Sequence, residues 1–328
     1  PPRSTQGVSS AASDVYKRQI INNIFDMDKI GIGIDIGGTE IKAAKFNLVS
    51  GKILDQKMVP TKDGEVVDGE PAFVNSVRKL IDEFSKEAEP KLSNIGLSAP
   101  GLVQKNGRAI GYMPGRLQGI EGLDWSSLID SNLTVHVIND AHAALMGEVW
   151  QGAAKCLSDV VMITLGTGVG GAIMTDGKLL KGNIGRAGHL GHMSVDFEGT
   201  PDICATPGSI EDAIGNATIM ERSNSQFKTT HDLIAAYADG DDIAKEVWLK
   251  SLRALASSLV SLINILDPER IVIGGGIAKA GDKLFEPLEG LLSTREWRPD
   301  NHSVKVVPAE LGFWAGTYGA VYNSVLNA

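Results

Sequence analysis

KIGIGIDIGGTEIKAAKFNLV (29–49) carries an apolar strand through a glycine turn into a second strand, and DVVMITLGTGVGGAIMTDGKLL (159–180) does the same again. This repeated device constrains the fold more than any other feature of the chain. Apolar residues alternate along KIGIGIDI (29–36) and recur through IKAAKFNLV (41–49), the period-two pattern of strands. SGKIL (50–54) reads as the next turn. A helical pattern over PAFVNSVRKLIDEFSKEA (71–88) leads to a strand in NIGLSAPG (94–101), and the strand LTVHVIND (133–140) runs directly into the helix AHAALMGEVW (141–150). After the second hairpin come helix and strand once more. The helix 241–265 sets Trp248, Leu252, Leu255, Leu259 and Leu262 on one stripe. RIVIGGGI (270–277) is a strand ending in glycines, and GFWAGTYGAVYNSVL (312–326) an amphipathic helix. Two halves with one order of elements make an α/β chain with an internal structural duplication.

Composition narrows the partners. A net charge of −9 argues against nucleic acid and against an anionic membrane, which both favour basic patches. It leaves room for a phosphate ligand, since backbone amides and a metal ion neutralise one locally. Two cysteines, Cys156 and Cys204, make no disulfide framework, and the chain reads as intracellular and cytoplasmic. ALASSLVSLINIL (254–266) is too short a run to cross a bilayer and reads as a core helix. Residues 1–26 show neither apolar periodicity nor a signal-peptide layout, precede Met27, and read as a disordered or spurious leader.

Three glycine-rich turns close strands: DIGGT (35–39), LGTGVGG (165–171) and IGGGI (273–277). Glycine lets successive amides point at phosphate oxygens. Any one of them alone is as well explained by an ordinary tight turn. GTGVGG also fits a dinucleotide fingerprint, but it leads to a strand and not to the helix that fingerprint needs. Asp35 and Asp140 each end an apolar strand, where a carboxylate is costly unless paired or near a metal. Asp140 taken alone reads as a helix N-cap; the company of Asp35 and three phosphate-suited turns favours chemistry.

At this point the chain resembles a known family. DIGGTEIKAAKF (35–46) looks like the phosphate loop of the ROK sugar kinases, within the actin–hexokinase–heat-shock ATPase fold. GLSAPG (96–101), INDAHAALMGE (138–148), LGTGVGG, GRAGHLGH (185–192), VIGGGI (272–277) and AGTYGA (315–320) follow in the family's order. The resemblance implies a two-lobed, actin-like (ribonuclease H-like) fold with a duplicated βββαβα core and a cleft between lobes. It implies a small lobe over 27–143, closed by a C-terminal helix (312–328), and a large lobe over 144–311. Asp35 would organise Mg²⁺ through water, with Gly37, Gly38 and Thr39 facing the phosphates of ATP. Gly166, Thr167, Gly168 and Gly170 would form the second phosphate loop, and Gly274, Gly275 and Gly276 would lie against the adenosine. Asn139 and Asp140 would bind the sugar, Asp140 as general base toward the 6-hydroxyl of a hexose or N-acylhexosamine. A free Asp, with a pKa of about 3.9, is ionised at neutral pH and ready to accept a proton.

The family's motif near 189 is usually Glu-x-Gly-His, with both side chains on sugar hydroxyls and the histidine often also on zinc. His192 holds the histidine position, while His189 stands where the glutamate is expected. Imidazole offers one donor and one acceptor where a carboxylate only accepts. Some N-acetylmannosamine kinases of the family look similar in carrying His-x-Gly-His. His189 therefore either shifts preference away from glucose, toward an N-acylated hexosamine, or is a neutral spacer. The zinc motif's three cysteine positions are filled by Asp202, Cys204 and Ser209, a set too weak for a structural zinc site, so the expectation is no stable zinc. Glu211 falls at the family's sugar-contacting glutamate, or serves only as an acidic first-turn residue. Arg186 and Asn183 lie in the same loop. GYMPGRLQGIEGLDW (111–125) shows no match to the Asn that the family usually supplies to the sugar. A sugar kinase is the leading expectation, with sugar and ATP as partners and a homodimer as the family's usual assembly. A sugar-responsive regulator of the family would need a helix-turn-helix, and no such pattern appears ahead of residue 29. A catalytically silent sugar-binding member is the other alternative.

Overall fold

The computed structural model describes residues 29–86, 92–129 and 132–328; the expected leader, 1–26, lies outside the described residues. β1 (Ile30–Ile36), β2 (Glu40–Asn47), β3 (Ile53–Pro60), β4 (Leu92–Ala99) and β5 (Val135–Asn139) form one sheet in the order β3-β2-β1-β4-β5. β6 (Val160–Leu165), β7 (Val169–Thr175), β8 (Lys178–Leu179), β9 (Arg270–Gly274) and β10 (Lys305–Pro308) form a second, in the order β8-β7-β6-β9-β10. Each sheet is an antiparallel three-strand meander to whose first strand two further strands add in parallel. The same order twice is the duplication expected from the paired hairpins.

The Ile–Gly alternation of β1 has a packing reason. Ile32, Ile34 and Ile36 face one side of the sheet, where α1 (Ala72–Lys86) lays down Phe73, Val77, Leu80 and Phe84. Gly33 faces the other side. A β carbon there would stand 2.0 Å from the carbonyl oxygen of Thr317, so only glycine lets a helix backbone lie directly on the strand. Thr317 belongs to the last helix. Of the helices between α1 and that helix, four matter here, α2 (Asp140–Gln151), α3 (Ile210–Ile214), α4 (Asp242–Leu266) and α5 (Asp282–Arg295), and the last is α6 (Ala315–Asn327). α6 crosses α2 just as closely: a β carbon on Gly319 would stand 1.6 Å from the Ala143 carbonyl oxygen. The chain's end is thereby locked onto both β1 and the helix that follows β5.

In the second sheet the core is built by α4. Trp248, Leu252, Leu255, Leu259 and Leu262 are buried against Ile163, Leu165, Ile271 and Ile273, each large side chain contributing roughly 1.5–3 kcal/mol. The apolar stretch is longer than the run 254–266 suggests, because α4 spans 25 residues. By length and composition it is long and apolar enough to cross a membrane. The length argument from sequence therefore fails, and it is the burial of this stripe that makes α4 a core helix.

Three element boundaries differ from expectation. β3 begins inside the stretch expected to be turn, and it is an edge strand with mostly exposed side chains, so it lacks an apolar alternation. RIVIGGGI is strand only to Gly274, because Gly275 turns at φ +89°. IEDAIGNATI (210–219), which reads as one helix opened by Glu211, is helical only to Ile214, where Gly215 is extended.

Candidate active site

The carboxyl ends of β1, β4 and β5 lie side by side, the place where open α/β sheets leave a crevice. Asp35 ends β1. Its register partners are Lys42 across the hairpin and Ser98 on β4. Lys42 Nζ lies 3.1 Å from Asp35 Oδ2, and the Ser98 hydroxyl donates to Oδ1 at 2.6 Å. Gly316, in the first turn of α6, covers this carboxylate so closely that a β carbon would stand 2.6 Å from Asp35 Cγ.

β5 ends in Asn139, and Asn139 rather than Asp140 is the N-cap of α2. Its Oδ1 accepts from the amides of Ala141 (3.0 Å) and His142 (3.2 Å), while Nδ2 donates to the Gly101 carbonyl at 3.1 Å. Asn139 is buried and largely spent on these bonds. Its capping releases Asp140 from that duty. Asp140 is exposed, with enough protein around its carboxyl for desolvation to act on it. Desolvation and the charge of Asp35 push its carboxyl above the usual Asp value, opposed by the amide of Ala141 and by Arg116 and His189. Two strand-end carboxylates thus sit close enough to repel one another. Such an oxygen-rich, doubly anionic pair suits a hard divalent cation that keeps its waters.

The two glycine turns follow β1 and β6. In the first, the Gly37 carbonyl accepts from the Thr61 hydroxyl (2.6 Å) and the Thr39 carbonyl from the Thr61 amide (2.9 Å). In the second, the carbonyls of Gly166 and Thr167 accept from the amides of Asn216 and Ala217, both at 2.9 Å. Because each peptide unit is planar and trans, pinning its carbonyl on one side aims the following N–H to the other. The amides of Gly38, Thr167 and Gly168 are thereby oriented as a set. Gly170, just past the second turn, would place a β carbon 3.3 Å from that of Ala141, so this turn packs on the same helical turn that holds Asp140. Gly275 touches the end of β6: a β carbon there would stand 2.2 Å from the Leu165 carbonyl oxygen. Gly274 lies against Met162 and Ala309, while Gly276 faces open space.

His189 and His192 enter from the loop after β8. His189 Nδ1 lies 3.1 Å from the Arg186 carbonyl oxygen, and its ring stands edge-on to that of His142 with centroids 6.3 Å apart. Burial lowers its pKa, with His192 adding to the fall and Asp140 opposing it. His142, buried, is pushed down to about 4 by desolvation and donates from Nε2 to the Ala187 carbonyl at 3.0 Å. Both imidazoles are neutral at pH 7. His192 Nδ1 lies 2.7 Å from Asp202 Oδ2, and Cys204 Sγ lies 3.4 Å from His192 Nε2. Glu211 turns one oxygen, Oε2, to the amide of Val169 at 2.8 Å, so it braces the second glycine turn. Beside these groups, a cavity of about 370 Å³ runs between the strands near Gln104 and the loop carrying Lys181 and Asn183, with Asn139 and His142 in its wall.

Sequence reasoning missed Lys42, Ser98, Thr61, Arg116 and His142. Lys42 was accessible, since a hairpin centred on the glycine turn sets it opposite Asp35. The others depend on contacts between distant segments. Arg116 comes from the very stretch, 111–125, in which no sugar-binding Asn was found.

A family model described as "ROK family" matches residues 31–324. A glucokinase of Halalkalibacterium halodurans is 32% identical over 291 residues, covering 80% of this chain and 84% of that protein. An N-acetylmannosamine kinase of Vibrio cholerae is 31% identical over 295 residues, covering 89% of this chain and 98% of its own. A solved structure of a ROK family glucokinase from Streptomyces griseus, in complex with glucose and AMPPNP, superposes with a TM-score of 0.71 at 27% identity, over 89% of this chain and 98% of that one. The fold is the two-lobed actin-like ATPase fold of these kinases. With the duplicated sheets, the paired glycine turns and the strand-end carboxylates all in the family's order, the chain belongs to the ROK family.

Proposed function

We propose that this sugar phosphotransferase moves the γ-phosphoryl group of ATP to the 6-hydroxyl of a hexose or an N-acylhexosamine, with Asp140 as general base. One observation carries the reading. Asp140, freed from capping by Asn139, opens α2 in the cleft within electrostatic reach of Asp35, while Gly170 beside the second glycine turn packs on the same helical turn. Acceptor, base and phosphate cradle then share one crevice between a lobe of residues 27–143 with 312–328 and a lobe of 144–311.

The chemistry follows from what each group can do. The sugar hydroxyl is un-ionised at neutral pH, and Asp140 orients it and takes its proton as the bond to phosphorus forms. Crowding and Asp35 make Asp140 a stronger base than an ordinary carboxylate. The oriented amides of Gly38, Thr167 and Gly168 hold phosphate oxygens without side-chain charge. Gly274, Gly275 and Gly276 leave a flat wall for the adenosine. Asp35 would hold Mg²⁺ through water, an ion that spreads the charge of the transferring group. Asn139, His189, His192 and Glu211 line the sugar side. The Arg186 carbonyl takes the hydrogen on His189 Nδ1, so the other nitrogen offers a neutral acceptor where the family's glutamate offers a charged one. That exchange favours a sugar whose recognition does not need a carboxylate, and an N-acylhexosamine fits it. Relatives of both kinds, glucokinases and N-acetylmannosamine kinases, support the range.

A coupled assay over a panel of glucose, mannose, N-acetylglucosamine and N-acetylmannosamine tests this. Turnover of at least one sugar is expected, and Asp140→Asn is expected to lower it by roughly 10²–10⁴-fold. His189→Glu should raise activity on glucose relative to the N-acyl sugars. No turnover of any hexose, or an Asp140→Asn variant as active as the wild type, defeats the assignment.

A further inference from the structure

The loop 196–208 folds back on itself through paired backbone bonds, Gly208 N to the Thr200 carbonyl and Val195 N to the Gly208 carbonyl. At its centre is Asp202, whose side chain is fully buried. Oδ1 accepts from the amides of Cys204 (2.8 Å) and Thr206 (2.9 Å), and Oδ2 from His192 Nδ1 at 2.7 Å. The Ser209 oxygen receives the amide of Asp212, capping α3. A carboxylate has about four lone-pair sites, and three of those on Asp202 carry a donor.

The family's motif implies zinc here; His192, Asp202 and Cys204 do bring one ligand atom each within 4.8 Å of one another, but three are short of a structural set and their bonds work against an ion. A zinc ligand must turn a free lone pair to the ion, and a structural site wants four such ligands. Asp202 Oδ1 is filled by two amides of its own loop, Oδ2 accepts the hydrogen that His192 Nδ1 carries, and the Ser209 oxygen holds a helix start. Of the four positions only the Cys204 thiol is uncommitted to the loop, and it lies against His192 Nε2.

We infer that Asp202 stands in for the metal: its carboxylate closes the loop and fixes the His192 ring, and in doing so it reverses the polarity of the nitrogen left for the sugar. An imidazole bound to zinc through one nitrogen carries its hydrogen on the other and presents a donor. An imidazole donating Nδ1–H to a carboxylate presents a lone pair on Nε2. The thiol of Cys204, a weak donor 3.4 Å away, is the partner that a sugar hydroxyl displaces from that single lone pair. His192 therefore accepts from a sugar hydroxyl and does not donate to it. Asp202 is a positioning residue, acting on the substrate only through His192, and this part rests on the proposed reading of His192 as a sugar contact.

Two measurements on the wild-type protein need no variant. Metal analysis after purification in zinc-containing medium and dialysis against a chelator should find far less than one equivalent of zinc. Long-range ¹H–¹⁵N correlation spectra of histidine-labelled protein, in alkaline buffer, should show His192 as the Nδ1–H tautomer, its signals assigned with His192→Gln. One equivalent of retained zinc, or an Nε2–H tautomer, overturns the inference. Asp202→Asn should then mix the tautomers of His192 and raise the sugar KM by about tenfold, with the ATP KM unchanged and kcat little changed. Asp202→Glu should recover part of the loss. A variant with an unaltered tautomer and unaltered sugar KM also overturns it. If the wild type shows the Nδ1–H tautomer and no zinc, yet His192→Gln leaves the sugar KM unchanged, the sugar-contact reading of His192 fails while the metal-free pinning stands.

Discussion

The two glycine turns close equivalent hairpins in two sheets of identical strand order, yet they are armed differently. The first follows a strand ending in Asp35, with Lys42 and Ser98 on that carboxylate, and a single residue, Thr61, pins its carbonyls. The second follows Leu165, carries no charged side chain of its own, and is braced by the amides of Asn216 and Ala217 and by the Glu211 carboxylate. The fold supplies two backbone cradles, and ionisable chemistry enters at only one of them. A cradle built only from backbone has the chemistry to take phosphate oxygens. A cradle with a carboxylate at its edge can also organise a cation and bias the charge of its neighbour Asp140.

The sharpest way to break that contrast is Asp35→Asn, which makes the first turn as uncharged as the second. Loss of several kcal/mol of transition-state charge stabilisation is expected, so kcat should fall by about 10²-fold or more. The same exchange removes the negative neighbour of Asp140, so the acid limb of kcat/KM for the sugar should move to lower pH. A profile that stays in place would mean that desolvation alone, and not Asp35, sets the basicity of Asp140. Full turnover in Asp35→Asn would make the two turns functionally equivalent.

At the second turn the corresponding test is Glu211→Ala. Losing a charged acceptor from a backbone amide costs about 1.5–3 kcal/mol, so the ATP KM should rise by about tenfold or more. The measurement also separates two roles for this residue: a rise confined to the sugar KM assigns Glu211 to the sugar rather than to the turn. Thr61→Val is milder. It deletes one hydroxyl bond to the Gly37 carbonyl, about 1 kcal/mol, and should weaken ATP by about fivefold while leaving the sugar KM alone.

The contrast also marks how far the sequence could be read. Both hairpins, the helix after Asn139 and the buried stripe of α4 were legible, because apolar period and glycine position are local signals. So was the pairing of Asp35 with the turn that follows it. The division of labour between Asn139 and Asp140 was not, since either residue type caps a helix and only the backbone angles decide. Glu211 looked like a sugar ligand or a dipole-favoured acid, and its bond to the amide of Val169 joins residues 42 positions apart. The carboxylate at 202 looked like a missing cysteine. Three donors converge on it in the fold, which no spacing in the chain announces.

Asp140 offers the smallest effect and a test of sign. In the unfolded chain its carboxyl titrates near the ordinary Asp value of 3.8, and in the folded protein higher. Between those values the folded state binds the additional proton, so stability falls as pH rises through the window, and the full cost is present above it. Asp140→Asn removes that cost. Its Tm should exceed that of the wild type at neutral pH by about 2–4 °C for each kcal/mol relieved, and the gap should close as the pH drops below the window. Nothing at Gly166–Gly168 can give a similar gain, because no ionised group is strained there. A variant that melts below the wild type at neutral pH would show that the amide of Ala141 and Arg116 hold the ionised carboxylate more firmly than crowding and Asp35 oppose it, and the charged cradle would then be no less settled than the uncharged one.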